Sequence, residues 1–219
     1  MIELYNIDCM KYMKTMQNNS VDLTLTDIPY EEVNRKSNGL RNFDKEQADI
    51  LTFDLSEFLN EVYRVTKNNI LIFCGRKQFS KIYEFFADKD GTARPVVWEK
   101  TNPSPINGQY VYLNGMELAV WFKKSTSKVF NAFCKNTVFK YPNGSSKVHP
   151  TEKNHALIKE LIQDNSNEGD IVFDPCFGGG THLLIAYQLG RKVIGCEMCS
   201  NFFEIAKERL ENINILDEW

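Results

Sequence analysis

The 219-residue chain has the length of one α/β domain, and its 42% hydrophobic content with 12% aromatic residues can build a sizeable core. No apolar run approaches the roughly 20 residues of a membrane span, and the first residues lack a signal pattern, so we expect a cytoplasmic protein without membrane association. The net charge of −3 argues on its face against a nucleic-acid partner, although the distribution of that charge does not.

Strands and helices alternate when the chain is taken in order. Apolar runs predict seven strands, at residues 2–7, 21–26, 70–73, 93–99, 117–122, 170–173 and 192–196. Stripes with helical spacing predict six helices, at residues 10–16, 54–62, 79–86, 155–163, 181–189 and 200–210. Asp54, Asn154 and Ser200 are placed to cap three of these helices. The alternation predicts a mostly parallel sheet covered by helices on both faces.

Two irregular segments interrupt this pattern. Residues 31–50 are polar and charged, and residues 101–150 include a proline-rich loop and a predicted hairpin around Pro142-Asn143-Gly144. We expect a single domain, 1–219, in which these two segments are inserts beside the ligand-binding edge of the sheet.

The charge is concentrated in one stretch. Between residues 123 and 153 there are seven lysines and one acid, Glu152, so this stretch carries +6 and the remainder −9. Such asymmetry favours an anionic partner on one face, although a solvated loop explains it as well. The six cysteines and three histidines show no disulfide-like or metal-ligand spacing, so we expect free thiols and no metal.

Asp27-Ile28-Pro29-Tyr30 follows directly on the predicted strand at 21–26. Ligands of open α/β sheets bind where the strands end, so this acid and this aromatic ring are candidates for a site. Because Asp and Pro also end strands for local reasons, the tetrapeptide does not decide the matter alone.

A glycine-rich loop, Asp174-Pro175-Cys176-Phe177-Gly178-Gly179-Gly180-Thr181, lies between a predicted strand and a predicted helix. Its glycines allow a tight turn and close approach to a ligand, and the helix start offers free N–H groups. Roughly 20 residues later, Glu197 is placed to bind ribose hydroxyls and Met198 offers an apolar surface. The glycine spacing is neither that of a dinucleotide site nor that of a phosphate loop. These features predict a different adenosine-containing cofactor.

Three motifs together resemble the DNA amino-methyltransferases, which methylate an exocyclic nitrogen of adenine or cytosine using S-adenosylmethionine. Residues 27–30 resemble the family's D-P-P-Y, and residues 174–181 resemble its D-P-F-x-G-S-G-T. His149-Pro150-Thr151-Glu152-Lys153 is similar to its H-P-T-Q-K. The catalytic motif precedes the cofactor motif, as in the permuted beta group. The resemblance implies a Rossmann-like sheet of seven strands, the last antiparallel, with circularly permuted motif order.

The resemblance also implies roles for individual residues. Catalysis at adenine N6, after base flipping, falls to Asp27, Ile28, Pro29 and Tyr30, with S-adenosylhomocysteine as the product. The implied cofactor contacts are Asp8, Cys9, His149, Pro150, Thr151, Lys153, Asp174, Cys176, Gly178, Gly180, Thr181, Glu197 and Met198. Lysines of the basic stretch and residues after the tetrapeptide are candidates for binding DNA: Arg35, Lys36, Asn38, Arg41, Lys123, Lys124, Lys128 and Lys147.

Ile28 departs from the family by replacing its first proline. Pro29 still biases Ile28 toward extended geometry, so we expect the Ile28 carbonyl to remain directed at the base. Asn154 replaces a proline that often follows H-P-T-Q-K, and it can cap a helix instead.

Other functions and partners stay open from the sequence. A cytosine-N4 methyltransferase and a non-catalytic cofactor- or DNA-binding module are the alternatives, while the glycine spacing disfavours a nicotinamide oxidoreductase. Dimerisation is frequent in this group. A homodimer, and a cognate restriction enzyme or specificity subunit, are therefore further expectations.

Overall fold

Eight strands form one sheet in the computed structural model, which describes residues 1–30, 52–105, 108–143 and 153–213. In chain order the elements are β1 (Ile2–Tyr5), α1 (Cys9–Met13), β2 (Val21–Asp27), α2 (Leu55–Val65), β3 (Thr66–Cys74), α3 (Arg76–Ala87), β4 (Gly91–Lys100), β5 (Met116–Lys124), β6 (Val138–Tyr141), α4 (His155–Asn165), β7 (Ile171–Asp174), α5 (Thr181–Gln188), β8 (Lys192–Cys196) and α6 (Ser200–Glu211).

The strands lie in the order β1-β8-β7-β2-β3-β5-β4-β6. Every neighbouring pair is parallel except the two that β5 makes, with β3 and with β4. The prediction of a mostly parallel, Rossmann-like α/β sheet is therefore confirmed. β7 lies in the interior of the sheet, as the resemblance implied.

The expected count of seven strands is wrong for the described residues, because β6 adds an eighth. β6 pairs in parallel with the end of β4, where Phe139 lies opposite Trp98. Only Phe139 of its four residues is buried, so the sequence carries too little apolar pattern to predict it. β6 ends before Pro142, the Asn143 amide donates to Asn102 Oδ1 at 2.6 Å, and the predicted hairpin from Gly144 onward lies outside the described residues.

Each face of the sheet is covered by three helices. On one face α1, α2 and α3 bury residues such as Met13, Phe58 and Phe86, all fully inaccessible. On the other face α4, α5 and α6 bury residues such as Leu157 and Leu183. None of the helices in the described ranges is long and apolar enough to cross a membrane.

Two of the three predicted helix caps are confirmed. Asp54 Oδ1 accepts the Glu57 amide at 2.9 Å, and Asn154 Oδ1 accepts the Leu157 amide at 3.1 Å. Ser200 is instead the first residue of α6, and its hydroxyl donates to the side chain of Asn6 at 2.9 Å. The predicted cap at Ser200 is therefore wrong, because this hydroxyl ties the start of α6 to the end of β1.

Candidate active site

The carboxyl ends of β2, β7 and β8 meet at one edge of the sheet. β7 lies between the other two strands and runs parallel to both. Asp27 is the last residue of β2, Asp174 is the last residue of β7, and Glu197 follows β8 directly. The fold thus brings the Asp27 tetrapeptide and the glycine loop to the same edge, where ligands of open α/β sheets bind.

The two carboxylate oxygens of Asp27 have different surroundings. Oδ2 lies 2.6 Å from the Nζ of Lys153. Oδ1 is buried, and within the described part of the chain it has no hydrogen-bond partner. Leaving a buried acceptor without a donor is costly, so an oxygen of this kind in a cleft is suited to a donor from a ligand.

Lys153 lies at the centre of a buried cluster of charged groups. Its Nζ is 2.8 Å from Glu117 Oε2 and donates to the Tyr30 hydroxyl at 3.2 Å, and the residue is only 5% exposed. Glu117 Oε1 lies 2.7 Å from the Nζ of Lys100. Burial opposes the charge on Lys153, but Asp27, Tyr30 and Glu117 hold its pKa well above the usual value. Lys153 is therefore an ammonium throughout the physiological range.

Glu117 is the acid that balances this ammonium. Burial raises the pKa of its carboxyl, but the nearby ammonium groups of Lys153 and Lys100 outweigh burial and lower the pKa below the usual value. Glu117 therefore stays ionised at neutral pH. Burial, reinforced by the charge of Asp27, raises the pKa of the Tyr30 phenol, so Tyr30 stays neutral beside them.

Gln78 fixes the turn that follows β2. Its Nε2 donates to the Pro29 carbonyl at 2.9 Å, while its Oε1 accepts the Gly75 amide at 2.8 Å. The Ile28 amide donates to the Phe73 carbonyl at 3.2 Å, and the Ile28 side chain is 1% exposed. The backbone of the tetrapeptide is thus held by β3 and the start of α3. Ile28 also serves as a core residue.

Asp174 shapes the glycine loop from inside. It is fully buried, with Oδ1 accepting the Cys176 amide at 3.0 Å and Oδ2 lying 2.8 Å from Nδ1 of His182. Both oxygens are engaged within the loop and its helix. Asp174 therefore sets the loop conformation, and its direct contact with a cofactor stays a prediction.

Two glycines of the loop have left-handed backbone conformations for different reasons. At Gly180, with φ of 79°, an added Cβ would lie 2.7 Å from the Cβ of Ala206, so α5 and α6 require this glycine to pack. At Gly178, with φ of 51°, an added Cβ would meet no described atom within 4 Å. Gly178 therefore borders open space that a ligand can approach.

Arg209 of α6 holds the loop from its other side. Its Nη1 donates to the Gly179 carbonyl at 2.6 Å and to the Thr181 hydroxyl at 3.3 Å. The glycine loop is thus fixed by contacts to its backbone from a neighbouring helix.

Glu197 binds amides beside the glycine loop and can accept further hydrogen bonds. Oε2 accepts the Gly178 amide at 2.9 Å and Oε1 accepts the Cys199 amide at 2.7 Å. Each carboxylate oxygen can accept a second hydrogen bond, so hydroxyl donors can still bind. Burial raises the pKa of Glu197, although these amides oppose the shift. Met198 beside it is 46% exposed and presents its thioether at the same edge.

Comparison with known proteins identifies the family. A family model described as DNA methylase matches residues 21–208. The chain belongs to this DNA methylase family. The type II methyltransferase M.HpaI of Haemophilus parainfluenzae is 31% identical over 234 residues, covering 94% of this chain and 73% of that protein. M.HinfI of Haemophilus influenzae, another type II methyltransferase, is 28% identical over 241 residues, covering 94% and 67%.

A solved structure gives the same result for the fold. The crystal structure of the M1.HpyAVI-SAM complex superimposes with a TM-score of 0.74 at 28% identity, covering 96% of this chain and 100% of that one. The family predicted from the three motifs is confirmed.

Lys153 of the DNA methylase was assigned to the cofactor by the resemblance. Its ammonium is buried against Asp27 and Glu117, and it also donates to the Tyr30 hydroxyl. The contact of Lys153 with a cofactor therefore stays a prediction.

Three other residues assigned to the cofactor have partners within the fold. Asp8 caps α1, with Oδ1 accepting the amides of Met10 at 2.8 Å and Lys11 at 3.4 Å. Cys9 is 6% exposed. A hydrogen bond with Cys9, followed by burial, raises the pKa of the Cys176 thiol well above its usual value. Cys176 is therefore a neutral thiol, and its direct contact with a cofactor stays a prediction, as does that of Cys9.

The structure gives no support to the assignment of Lys124 to DNA. Its side chain is 8% exposed, donates to Asn19 Oδ1 at 3.0 Å, and lies 4.3 Å from the centre of the Tyr63 ring. Burial lowers the pKa of Lys124. Lys124 is a packing residue of the fold.

Lys123 and Lys128 lie at the edge of the sheet opposite to the site. Because β5 is antiparallel, its last residues lie beside the starts of its neighbours, and Lys123 pairs with Asn69 of β3. The Nζ of Lys123 donates to the Ser127 carbonyl at 2.6 Å, while Lys128 is exposed. The structure does not bring these lysines to Asp27, so a DNA contact there would be remote from that residue.

The remaining assigned residues lie outside the described ranges. They are Arg35, Lys36, Asn38, Arg41, Lys147, His149, Pro150 and Thr151. In the described ranges no group of three or more His, Cys, Asp or Glu side chains converges on a metal-binding position.

Four residues that organise this site were not predicted from the sequence. Lys100 and Glu117 meet because β4 and β5 pair, Gln78 reaches back from α3, and Arg209 reaches across from α6. Each stands alone in the sequence among ordinary strand or helix residues. Only Glu117, as the one acid in the predicted strand at 117–122, could have been noticed in the sequence.

Proposed function

We propose that this DNA methylase transfers a methyl group from S-adenosylmethionine to the exocyclic N6 of adenine in DNA, and that S-adenosylhomocysteine and a proton are released. The observation that carries the proposal is the difference between the two carboxylate oxygens of Asp27. Lys153 binds Oδ2, while Oδ1 is buried without a donor among the described residues. An amino N–H of a nucleobase supplies the donor that this oxygen requires.

The residues around the glycine loop fit S-adenosylmethionine. The open space at Gly178 allows close approach of a ligand to the backbone. The carboxylate of Glu197 is placed for ribose hydroxyls, and Met198 offers an apolar contact for an adenine ring. When bound, the cofactor supplies an electrophilic methyl group on a positively charged sulfur. The proposal assigns these three residues, with Gly180 and Thr181 maintaining the loop, to cofactor binding.

Asp27 prepares the amino group for transfer. An exocyclic amino nitrogen is a poor nucleophile, because its lone pair is delocalised into the ring. By accepting one N–H at Oδ1, Asp27 orients this nitrogen and stabilises the positive charge that develops on it. The Ile28 carbonyl, at the next residue, is proposed to accept the second N–H.

The base must leave the duplex to reach this oxygen, or already be single-stranded. The Tyr30 ring, whose hydroxyl lies 3.2 Å from Lys153 beside Asp27, is proposed to stack on the extruded base. The loop between β4 and β5 supports contact with DNA, since it carries Tyr110 and Tyr112, which are 79% and 103% exposed. Lys100 and Glu117, at the two ends of this loop, belong to the charged cluster. The described part of this loop therefore begins and ends beside the site, and we propose that it contacts DNA.

We also propose a cellular setting. The relatives named above are type II methyltransferases, and by analogy this protein would act on DNA in the cytoplasm, alongside a cognate restriction enzyme. A homodimer is proposed from the resemblance, and light scattering of the purified protein tests it. The proposed specificity partner would be recovered by purifying the tagged protein from its own cells.

The test of the proposed reaction is methylation of DNA that lacks prior methylation. The purified protein is incubated with isotope-labelled S-adenosylmethionine and genomic DNA from a methylation-deficient strain, and the digested nucleosides are analysed by mass spectrometry. We expect labelled N6-methyladenine. Labelled N4-methylcytosine instead would overturn the choice of adenine. Cofactor binding by calorimetry, with no methylated nucleoside on any DNA, would identify a binding module without turnover.

A further inference from the structure

We propose that Lys153 and Glu117 act together as positioning residues for methyl transfer, Lys153 by holding one oxygen of Asp27 so that the other is presented to the base. The inference rests on the proposed function of the same site. It concerns residues outside the catalytic tetrapeptide, brought to it from the start of α4 and from β5.

The contacts of Lys153 fix the orientation of the Asp27 carboxylate. Lys153 Nζ lies 2.6 Å from Asp27 Oδ2 and 2.8 Å from Glu117 Oε2, and it also donates to the Tyr30 hydroxyl at 3.2 Å. Its three N–H donors therefore have three partners, which fixes the ammonium in place. A carboxylate bound at one oxygen can no longer rotate freely. The other oxygen, Oδ1, is therefore held in one orientation.

Glu117 balances the charge that Lys153 brings to Asp27. Methyl transfer places positive charge on a nitrogen that donates a hydrogen bond to Asp27, and an uncompensated ammonium next to that carboxylate would oppose this charge. Glu117 lies against Lys153 on its other side and is itself paired with Lys100 at 2.7 Å. The four formal charges of Asp27, Glu117, Lys153 and Lys100 balance. Lys153 can thus hold Asp27 without cancelling its charge toward the base.

Lys153 and Glu117 are both held by rigid parts of the fold. Lys153 is 5% exposed, and its Nζ lies 5.2 Å from the centre of the Phe73 ring. Glu117 lies in β5, which pairs with both β3 and β4. The cluster therefore rests on regular sheet and a packed ring, which is what a precise orientation of Asp27 requires.

The experiment measures single-turnover methylation together with cofactor affinity. Lys153→Met should lower the rate of methyl transfer on the order of a hundredfold, as expected for a displaced catalytic group. The Kd for S-adenosylhomocysteine, measured by calorimetry, should stay at the wild-type value. Lys153→Arg, which keeps the charge, should recover part of the rate. Glu117→Gln should lower the rate less than Lys153→Met does.

A double variant tests whether the two residues act as one unit. Lys153→Met combined with Glu117→Gln should be no slower than Lys153→Met alone, because residues that act together have non-additive effects. Lys135→Met is the matched control. Lys135 is likewise held by two carboxylates, at 2.6 Å from Asp164 and 3.0 Å from Glu160, but it lies outside the site. This control should keep the wild-type rate.

The inference is overturned if Lys153→Met transfers methyl groups at the wild-type rate, or if it loses cofactor affinity in place of rate. If Lys153→Met does not fold, Glu117→Gln decides, and a wild-type rate at an unchanged melting temperature overturns the proposal. Failure of the proposed function is distinguishable, because in that case the wild-type protein itself yields no N6-methyladenine.

Discussion

The two halves of the candidate active site are built in different ways. The glycine loop is shaped by its backbone: a buried acid, a neighbouring arginine and two left-handed glycines all act on amides and carbonyls of residues 176–181. The other half, for which we propose the catalytic role, is shaped by charged side chains: Asp27, Glu117 and Lys153 meet there from separate parts of the chain. Changes in the first half should therefore alter cofactor affinity and stability, and changes in the second should alter the rate.

Asp27→Ala should have the largest effect. It removes the acceptor for the amino group, and we expect the rate of methyl transfer to fall by about a hundredfold or more. Cofactor affinity, measured by calorimetry, should be retained, because the glycine loop does not contact Asp27 among the described contacts. Asp22→Asn, on the same strand but at its other end, is the control and should keep the rate. A parallel loss of cofactor affinity in Asp27→Ala would show that the halves are not separable.

Gly180→Ala should destabilise the glycine loop. An added Cβ would lie 2.7 Å from that of Ala206, at a backbone φ of 79°. We expect the free energy of unfolding to fall by about 3 kcal/mol in chemical denaturation. Gly178→Ala is the matched comparison, since it meets only open space and should cost about 1 kcal/mol while weakening cofactor binding. Equal losses of stability in both variants would contradict the close contact between α5 and α6.

Glu197 should make cofactor binding depend on pH. Because burial raises its pKa in the folded protein, Glu197 contributes stability at low pH that is lost as the pH rises through the raised pKa. Ribose hydroxyls donate to the ionised form, so cofactor affinity should rise over the same interval. The increase in melting temperature caused by S-adenosylhomocysteine should therefore grow with pH there. Glu197→Gln should abolish this dependence and weaken binding about tenfold.

Ile28→Pro should reduce stability more than rate. It removes the amide that donates to the Phe73 carbonyl at 3.2 Å and a side chain that is 1% exposed. We expect a loss of about 2 kcal/mol in the free energy of unfolding. The rate per folded molecule should stay close to that of wild type, because proline keeps the backbone extended. Ile28→Val, which retains the amide, should lose less stability, and a large loss of rate in Ile28→Pro would argue against a role for the carbonyl.

Lys124→Met should have the smallest effect. Its ammonium is engaged by Asn19 and the Tyr63 ring, far from the catalytic edge. Fluorescence anisotropy should give an unchanged Kd for DNA and an unchanged dependence of that Kd on salt. A salt dependence reduced by about one counterion would restore Lys124 to the DNA-binding set.

The parts of the molecule that were predicted correctly are those encoded by neighbouring residues. The strand, turn and helix around Gly178 are contiguous, so periodicity and glycine content revealed them. The charged cluster was not predicted, because Lys100, Glu117 and Lys153 meet only through strand pairing and the start of α4. Composition revealed the excess of lysine after residue 123 but not that β5 is antiparallel. That reversal puts Lys123 at the edge away from Asp27.

Phe73 links the two halves in a way that matters for redesign. Its ring lies 5.2 Å beneath the Nζ of Lys153 and 6.4 Å from the ring of His182, which pairs with Asp174 in the glycine loop. The Phe73 side chain thus packs beside residues of both halves of the site. Replacing Phe73 with a smaller residue to admit a bulkier base would therefore also remove packing beside His182, which holds the glycine loop through Asp174. Libraries aimed at new substrates should therefore vary position 73 together with the loop and not alone.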